Sequence, residues 1–124
     1  SVNKPLVIHT RAAPNDTLNR LTSNMLVAAV IARAANAGQP ALADSARRLV
    51  RASMGDAQID SPRELALYGA FVHALLGDED DAIQLLKVHL AASPSRMQSM
   101  RNDPGWWFKD LEREPRFRQL LGLN

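Results

Sequence analysis

Apolar positions in this chain fall into helix-length segments, each bounded by proline, glycine or a short acidic side chain. A first helix is predicted to begin near Asp16, whose side chain can cap free backbone amides, and to end at Gly38. From Met25 onward its apolar residues surround the helix axis, a pattern typical of a buried helix. A second helix is predicted from Pro40, because proline suits the first turn of a helix.

Two further helices are predicted to form a tight hairpin. Residues 61–64 (Ser-Pro-Arg-Glu) have the pattern of a capping box in which Ser61 caps the third helix, and Gly77 should end that helix. The acidic residues 78–81 favour the start of a fourth helix, since negative charge stabilises the positive end of the helix dipole. A calcium loop is disfavoured there, because its spaced ligands and glycine are missing. Small Ala82 lies just inside this helix, which should stop at Pro94.

The two ends of the chain have weaker patterns. Residues 1–15 predict an extended arm around the short apolar run Leu6-Val7-Ile8. After Pro94 we expect a short helix near residues 95–100 and a capping segment at about 103–122, in which Asp103-Pro104 opens one helix and Glu114-Pro115 opens the last one. No strand pattern follows the arm. The predicted fold class is therefore all-α, with helical hairpins at about 16–54 and 61–93 in one domain spanning residues 16–124.

Composition and charge narrow the function classes. With 124 residues and 46% apolar residues, the chain is expected to fold as one domain. A net charge of +2 does not indicate a nucleic-acid-binding protein, and the absence of cysteine excludes disulfides. The longest apolar run, Met25–Ala32, is far shorter than the roughly 20 residues that cross a bilayer. We expect a soluble protein, and the pattern leaves cytoplasm and periplasm equally open.

The two predicted hairpins contain similar segments, which indicates an internal repeat. Residues 44–50 align with residues 80–86, an offset of 36, and both segments place a small alanine before two branched aliphatic residues. A period in the mid-thirties with paired helices is typical of tetratricopeptide arrays. Residues 65–94 resemble one such repeat, with Gly77-Asp78 at the hairpin, Ala82 at the small position and Pro94 at the end. The segment Asp103–Leu121 resembles the closing segment of bacterial tetratricopeptide arrays.

That resemblance implies a binding surface. In tetratricopeptide proteins the first helix of each hairpin lines a concave face, and the register implies a mostly apolar trough here. The implied lining residues are Met25, Ala28, Ala32, Glu64, Leu67, Phe71, Ala74 and Leu75. An exposed apolar trough generally marks a binding site. It can equally be filled by the arm at Leu6–Ile8 or by a second copy of the chain, and the sequence does not decide between these.

The aromatic residues near the C-terminus offer a second candidate surface. Trp106, Trp107 and Phe108 are followed by several basic residues, so stacking on nucleic-acid bases is conceivable. The favoured interpretation is that these rings seal the last hairpin. Because adjacent residues on a helix point in different directions, one of the two tryptophans can instead remain exposed as an anchor for a partner.

Residues capable of catalysis or metal binding lack a supporting pattern. His73 and His89 fall on facing helices, but the chain has neither cysteine nor zinc-ligand spacing. No phosphate-binding loop and no nucleophile motif occurs. We therefore expect no catalytic residue, no cofactor and no metal. The sequence predicts a non-catalytic module that binds a peptide or protein within a larger bacterial protein, or alternatively a self-association module.

Overall fold

The computed structural model describes residues 14–123, apart from the side chains of Pro14, Asn15 and Trp107. The helices are α1 (Pro14–Asn36), α2 (Ala43–Ala52), α3 (Glu64–Leu76), α4 (Glu79–Ala92), α5 (Ser95–Asn102) and α6 (Pro115–Leu120), with 3-10 segments at Pro40–Leu42 and Trp106–Leu111. No strand occurs within residues 14–123, so the all-α fold class is confirmed for that range. The predicted arm falls almost entirely outside the described residues.

Consecutive long helices run in opposite directions. At one end of the α3–α4 pair, His89 Nδ1 lies 2.9 Å from the Pro62 carbonyl oxygen, so the end of α4 meets the start of α3. At the other end, His73 Nδ1 lies 2.9 Å from Asp78 Oδ2 across the short turn. In the α1–α2 pair, a Cβ at Gly55 would lie 3.5 Å from Leu21 Cδ1, which places the end of α2 beside the early part of α1.

Helix α3 lies at the centre of the molecule. It packs against α1, α2, α4 and the 3-10 segment Trp106–Leu111. Gly69 leaves room for close neighbours of α3, because a Cβ there would lie 2.8 Å from Met54 Cε and 3.0 Å from Leu85 Cδ1. An apolar helix with neighbours on several sides is the expected state of a segment with so few polar positions.

Two apolar clusters form the core, and the half-buried side chains of Phe71 and Leu85 contact both. The first lies between α1, α2 and α3: Met25, Ala28, Ala29, Ala32, Ala46, Val50, Leu65 and Val72. The second joins α3, α4 and the C-terminal segments: Leu67, Ala70, Ala82, Ile83, Leu86, Leu90, Met100, Phe108, Leu111, Phe117 and Leu121. Ala46 and Ala82, the paired alanines of the sequence repeat, are both fully buried.

The prediction that α1 is buried on all sides is wrong. Leu26, Val27 and Val30 are 61%, 50% and 67% exposed. Alanines and Met25 form the buried side of α1 instead, because small side chains let α2 and α3 pack close to its backbone. Both neighbouring helices lie on that side, so the larger aliphatic residues remain in solvent.

The predicted cap of α3 is also wrong by one residue. Asp60, and not Ser61, caps the helix: its carboxylate accepts hydrogen bonds from the amides of Glu64 and Leu65, at 2.9 and 2.8 Å. Asp60 is buried, whereas Ser61 is exposed. A turn in which the Arg63 amide bonds to the Asp60 carbonyl delays the start of the helix to Glu64. A carboxylate can serve two amides at once, which a serine hydroxyl cannot do as well.

Side chains at the C-terminal end of α4 also hold the backbone that precedes α3. Arg63 has a φ of 55°, a left-handed conformation that is uncommon for a residue with a side chain. His89 Nδ1 donates to the carbonyl oxygens of Pro62 and Arg63, at 2.9 and 3.1 Å, and the Ser93 hydroxyl also donates to Pro62. The backbone at the start of α3 is therefore fixed by side chains from both directions.

Phe108 and Phe117 close the C-terminal end of the core. Phe108 and Phe117 are fully buried, with ring centroids 6.2 Å apart, and Leu111 and Leu121 are buried beside them. Trp106 is 66% exposed. The two helical segments expected within residues 103–122 are present, the first of them as a 3-10 segment.

Removing the Asp60 carboxylate tests this start of α3. Replacing Asp60 with alanine should lower the free energy of unfolding by about 1–3 kcal/mol, because two amides lose their acceptor in a buried position. Ser61→Ala is the matched control and should change the free energy by no more than about 0.5 kcal/mol. Urea unfolding followed by circular dichroism measures both. Equal effects of the two substitutions would restore Ser61 as the cap.

Close packing at Ala82 gives a second stability test. Replacing Ala82 with leucine should cost roughly 1–3 kcal/mol, because the added side chain has no room in the α3–α4 core. Ala91→Leu, on the exposed side of the same helix, is the control and should leave the melting temperature nearly unchanged. An unaltered melting temperature in the Ala82 variant would contradict tight packing at this position.

Candidate functional site

One side of α3 remains partly open to solvent. Glu64, Tyr68, Phe71 and Leu75 are each half-buried, and they are spaced by four, three and four residues. Residues at this spacing lie along one side of a helix. The remaining α3 positions from Leu65 to His73 are buried. The open side of α3 is therefore a mixed stripe with an aromatic centre.

A small apolar recess lies at the middle of this stripe. Leu67, Tyr68 and Phe71 from α3 and Phe108 from the 3-10 segment line it, with about 170 Å³ of unfilled space that includes its open mouth. Leu67 and Phe108 are buried, whereas Tyr68 and Phe71 are half-buried and reach the surface. The recess offers no polar group for chemistry and is suited to enclosing part of an apolar side chain.

Trp106 stands beside this recess. Its ring lies 5.7 Å from the ring of Phe71, centroid to centroid, at an interplanar angle of 80°. This edge-to-face geometry is the favoured arrangement of two aromatic rings. Most of the Trp106 ring is nevertheless exposed, so the pair presents a large aromatic surface to solvent. We call Leu67, Tyr68, Phe71, Trp106 and Phe108 the aromatic recess.

Polar groups occur at the rim of the aromatic recess. Arg96 Nη2 lies 2.7 Å from Glu64 Oε1, so these two charges are paired with each other. Burial, followed by the nearby charge of Glu64, raises the pKa of the Tyr68 phenol above its usual value of 10.0. Tyr68 is therefore a neutral hydroxyl at physiological pH, able to donate or accept a hydrogen bond at the edge of the recess.

The sequence-predicted binding residues separate into two groups. Leu67, Phe71 and Trp106 come together in the aromatic recess, and Glu64 and Leu75 lie on the same side of α3. Met25, Ala28 and Ala32 do not: all three are buried against α2 and α3, so the expectation that they line an open trough is wrong. The side chain of Trp107 lies outside the described residues.

Sequence reasoning missed two members of the recess. Tyr68 lies four residues after Glu64 and three before Phe71, so helical spacing alone could have placed it on the same side. Phe108 could not have been placed this way, because its position depends on how the 3-10 segment folds back onto α3. For α1, the residues that the resemblance implied as lining, Met25, Ala28 and Ala32, lie on the side of the helix that faces the core.

A second polar cluster lies at the turn between α3 and α4. Asp78 accepts two hydrogen bonds from Arg47 of α2, at 2.8 and 3.0 Å, and His73 Nδ1 lies 2.9 Å from the same carboxylate. Asp44 pairs with Arg47 from within α2, at 2.7 Å. The two predicted histidines do not approach a common site, since His89 bonds to backbone at the opposite end of the hairpin.

This cluster contains the side-chain types that bind metal ions, but the Asp78 carboxylate is already engaged by Arg47. Ligand atoms of His73, Asp78 and Asp81 lie within 4.8 Å of one another. Both oxygens of Asp78 are already bonded to the Arg47 guanidinium, so a cation would have to displace or oppose a positive charge. The arrangement is chemically that of a charged link between α2 and the α3–α4 turn.

Two further observations concern binding to nucleic acid and insertion into a membrane. Arg116, one of the basic residues near the tryptophans, is paired with Asp80 and lies 3.6 Å from Glu114, which reduces the positive charge available for nucleic acid. Within residues 14–123, none of the helices combines the length and the apolar character that crossing a bilayer requires.

The charged link predicts a dependence of stability on pH. Burial alone would raise the pKa of Asp78, but hydrogen bonds from Arg47 and His73 outweigh it and hold the pKa below its usual value of 3.8. A lowered folded-state pKa adds stability above the unfolded-state value, and this stability is lost as pH falls through the folded-state value. Asp78→Asn should therefore unfold about 1–3 kcal/mol more easily than wild type at pH 7. The difference should shrink below about pH 3.8, the usual value.

Urea unfolding of both proteins across this pH range makes the comparison. Asp110→Asn, which replaces an exposed carboxylate, is the control and should behave as wild type throughout. A gap between wild type and Asp78→Asn that stayed constant down to pH 2 would contradict a stabilising carboxylate.

Comparison of the chain with models of protein families, with curated proteins and with solved structures gave no match. The tetratricopeptide resemblance therefore depends on the sequence pattern of this chain alone.

Proposed function

We propose that this chain is a non-catalytic interaction module that binds a peptide segment of another protein at the aromatic recess. The observation that carries the proposal is the exposed Trp106 ring standing edge-to-face on Phe71 beside an open apolar recess. Tryptophan and tyrosine are enriched among the residues that dominate binding energy at protein interfaces. Part of an apolar side chain of the ligand enters the recess, and the exposed ring of Trp106 packs against the neighbouring peptide backbone.

The polar rim supports a peptide and not a purely apolar ligand. The Tyr68 hydroxyl and the paired charges of Glu64 and Arg96 lie on the same side of α3 as the recess. They provide hydrogen-bonding groups for a peptide backbone or a polar neighbour of the inserted side chain. An apolar centre with a polar rim is the usual composition of a protein interface.

We further propose that the fold is of tetratricopeptide type. Each first helix packs on its own second helix, and the first helices α1 and α3 pack on each other. Ala46 and Ala82, which correspond in the repeat, are equally buried, and Gly77 ends α3 with a φ of 80°. In such a fold α1 and α3 line one surface, which agrees with the location of the aromatic recess on α3. Stacked hairpins of this kind commonly bind peptides.

Selection from a phage-displayed library of random dodecapeptides tests the proposed function. Peptides enriched on the immobilised wild-type domain should share one bulky apolar residue, and their affinity is then measured by fluorescence anisotropy. Trp106→Ser should weaken binding by about tenfold or more, the effect expected of a central aromatic anchor. Phe71→Leu should weaken it as well, because it removes the ring on which Trp106 rests.

Val30→Ser is the matched control, since it also replaces an exposed apolar side chain, but on α1. It should leave the affinity of the selected peptides within about twofold of wild type, while circular dichroism confirms that every variant is folded. The proposal fails if no peptide is enriched, or if the selected peptides bind Trp106→Ser as tightly as wild type.

A further inference from the structure

The aromatic recess has an electrostatic property that a pocket lined by aliphatic residues lacks. The rings of Phe71 and Trp106 are nearly perpendicular, at 80°, with the edge of one ring against the face of the other. The corner between two such rings is bounded by a face of each. Ring faces carry the negative part of the aromatic quadrupole, so both rings attract a positively charged group that lies in this corner.

Two further aromatic rings lie at the same place. Tyr68 and Phe108 line the recess together with Phe71, so that four of its five residues are aromatic. Trp106 is 66% exposed, which leaves much of its ring accessible from solvent. Among the aromatic side chains, tryptophan attracts cations most strongly. An accessible tryptophan beside several other rings is the composition of sites that hold organic cations.

The charged groups around the recess add a negative potential. Glu64 lies one helical turn before Tyr68 on the same side of α3 and pairs with Arg96 at 2.7 Å. After burial, which has the largest effect, Glu64 raises the pKa of the Tyr68 phenol more than Arg96 lowers it, and Asp60 raises it further. At the Tyr68 ring the two carboxylates therefore outweigh the guanidinium, and a cationic ligand is favoured over an anionic one.

The size and the lining of the recess restrict the kind of cation. Its unfilled space of about 170 Å³, open mouth included, is well below that of a pocket for a drug-sized ligand, so only the head of a side chain enters. An unmodified lysine ammonium is strongly hydrated and has three N–H donors, for which the apolar lining offers no acceptor. A trimethylammonium group has no N–H donor, so its methyl groups make apolar contacts while the group keeps its charge.

We propose that the aromatic recess binds a trimethylated lysine in a peptide segment of a partner protein. The proposal rests on the proposed function and specifies which side chain of the peptide enters the recess. The methyl groups contact Leu67 and Phe71, and the positive charge lies against the ring faces of Phe71 and Trp106. Glu64 acts at longer range and increases the attraction. Electrostatic attraction thus adds to the apolar contacts that an uncharged head of the same shape would make.

Three synthetic peptides that differ at one central residue test the proposal. That residue is trimethyllysine, its neutral carbon isostere with a tert-butyl head, or unmodified lysine, and the flanking residues are alanine and glycine. The trimethyllysine peptide should bind the wild-type domain about fivefold or more tightly than the isostere, because the two heads share one shape and differ in charge. It should exceed the lysine peptide by at least as much. Fluorescence anisotropy of labelled peptides measures the three affinities.

Variants of the recess locate the preference for the charged head. Trp106→Leu keeps an apolar side chain but removes a ring face, so trimethyllysine should bind this variant no more than about twofold more tightly than the isostere. Glu64→Gln should lower the wild-type preference by about twofold, because it removes a nearby negative charge. Asp81→Asn, which replaces an exposed carboxylate at the opposite end of the α3–α4 hairpin, is the matched control and should keep the wild-type preference. Circular dichroism confirms that each variant is folded.

Failure of the trimethyllysine proposal is distinguishable from failure of the proposed function. If trimethyllysine and its isostere bind equally, charge plays no part and only the trimethyllysine proposal fails. The same holds if library peptides bind at Trp106 while none of the three synthetic peptides binds, or if Trp106→Leu keeps the full preference. If neither the library peptides nor the synthetic peptides bind, both proposals fail.

Other occupants of the recess give results of their own. Binding of wild type, but not of Trp106→Leu, to phosphatidylcholine vesicles, without binding of the trimethyllysine peptide, would assign the recess to a lipid headgroup. A wild-type dimer that Trp106→Leu dissociates in sedimentation equilibrium would assign it to a second copy of the chain. A synthetic peptide of residues 1–13 that binds as tightly as the trimethyllysine peptide would assign it to the N-terminal segment. Each of these results overturns the proposal.

Discussion

The buried carboxylate of Asp60 is the constraint on which the rest of this molecule depends. It sets the first residue of α3 by accepting hydrogen bonds from the amides of Glu64 and Leu65, and α3 is the helix that packs against α1, α2, α4 and the 3-10 segment Trp106–Leu111. A one-residue shift in the register of α3 against its neighbours would rotate its side chains by about 100°. Leu67 and Ala70 would then leave the core, and the aromatic recess would no longer face solvent. His89 and Ser93 support the same junction from α4, so the register of the hairpin is fixed at its base.

The aromatic recess and the exposed aliphatic side of α1 both contain side chains that the core leaves partly or largely exposed. On α3, the two apolar clusters take the buried positions, and Tyr68 and Phe71 remain at the boundary, where Phe108 completes the recess. On α1, alanines fill the narrow contact with α2 and α3, which leaves Leu26 and Val30 outside. On α1, therefore, small residues lie in the core and large aliphatic residues lie at the surface, which reverses the usual order.

Local patterns in the sequence predicted the helices well, because helix ends depend on nearby residues. Gly38 and Gly77 have the positive φ that a helix stop requires, and Pro40 and Pro115 open helical segments as expected. The start of α3 was misplaced because Asp60 and Ser61 are both good caps, and only burial by distant residues favours Asp60. The exposed side of α1 and the position of Phe108 depend on contacts between distant segments, which no local pattern encodes. For the candidate site, helical spacing found Leu67 and Phe71 but could not indicate which ring stands against them.

The salt bridge between Arg47 and Asp78 bears on how the molecule unfolds. Repeating helical units are coupled mainly through the surfaces they share, and weak coupling lets one unit melt before the next. Arg47 belongs to the first pair of helices and Asp78 to the turn of the second, and the two-pronged contact between them joins the pairs at a point far along the chain from their direct connection. This contact favours cooperative unfolding of both helix pairs in a single step. A partly unfolded form that keeps one pair intact is therefore sparsely populated.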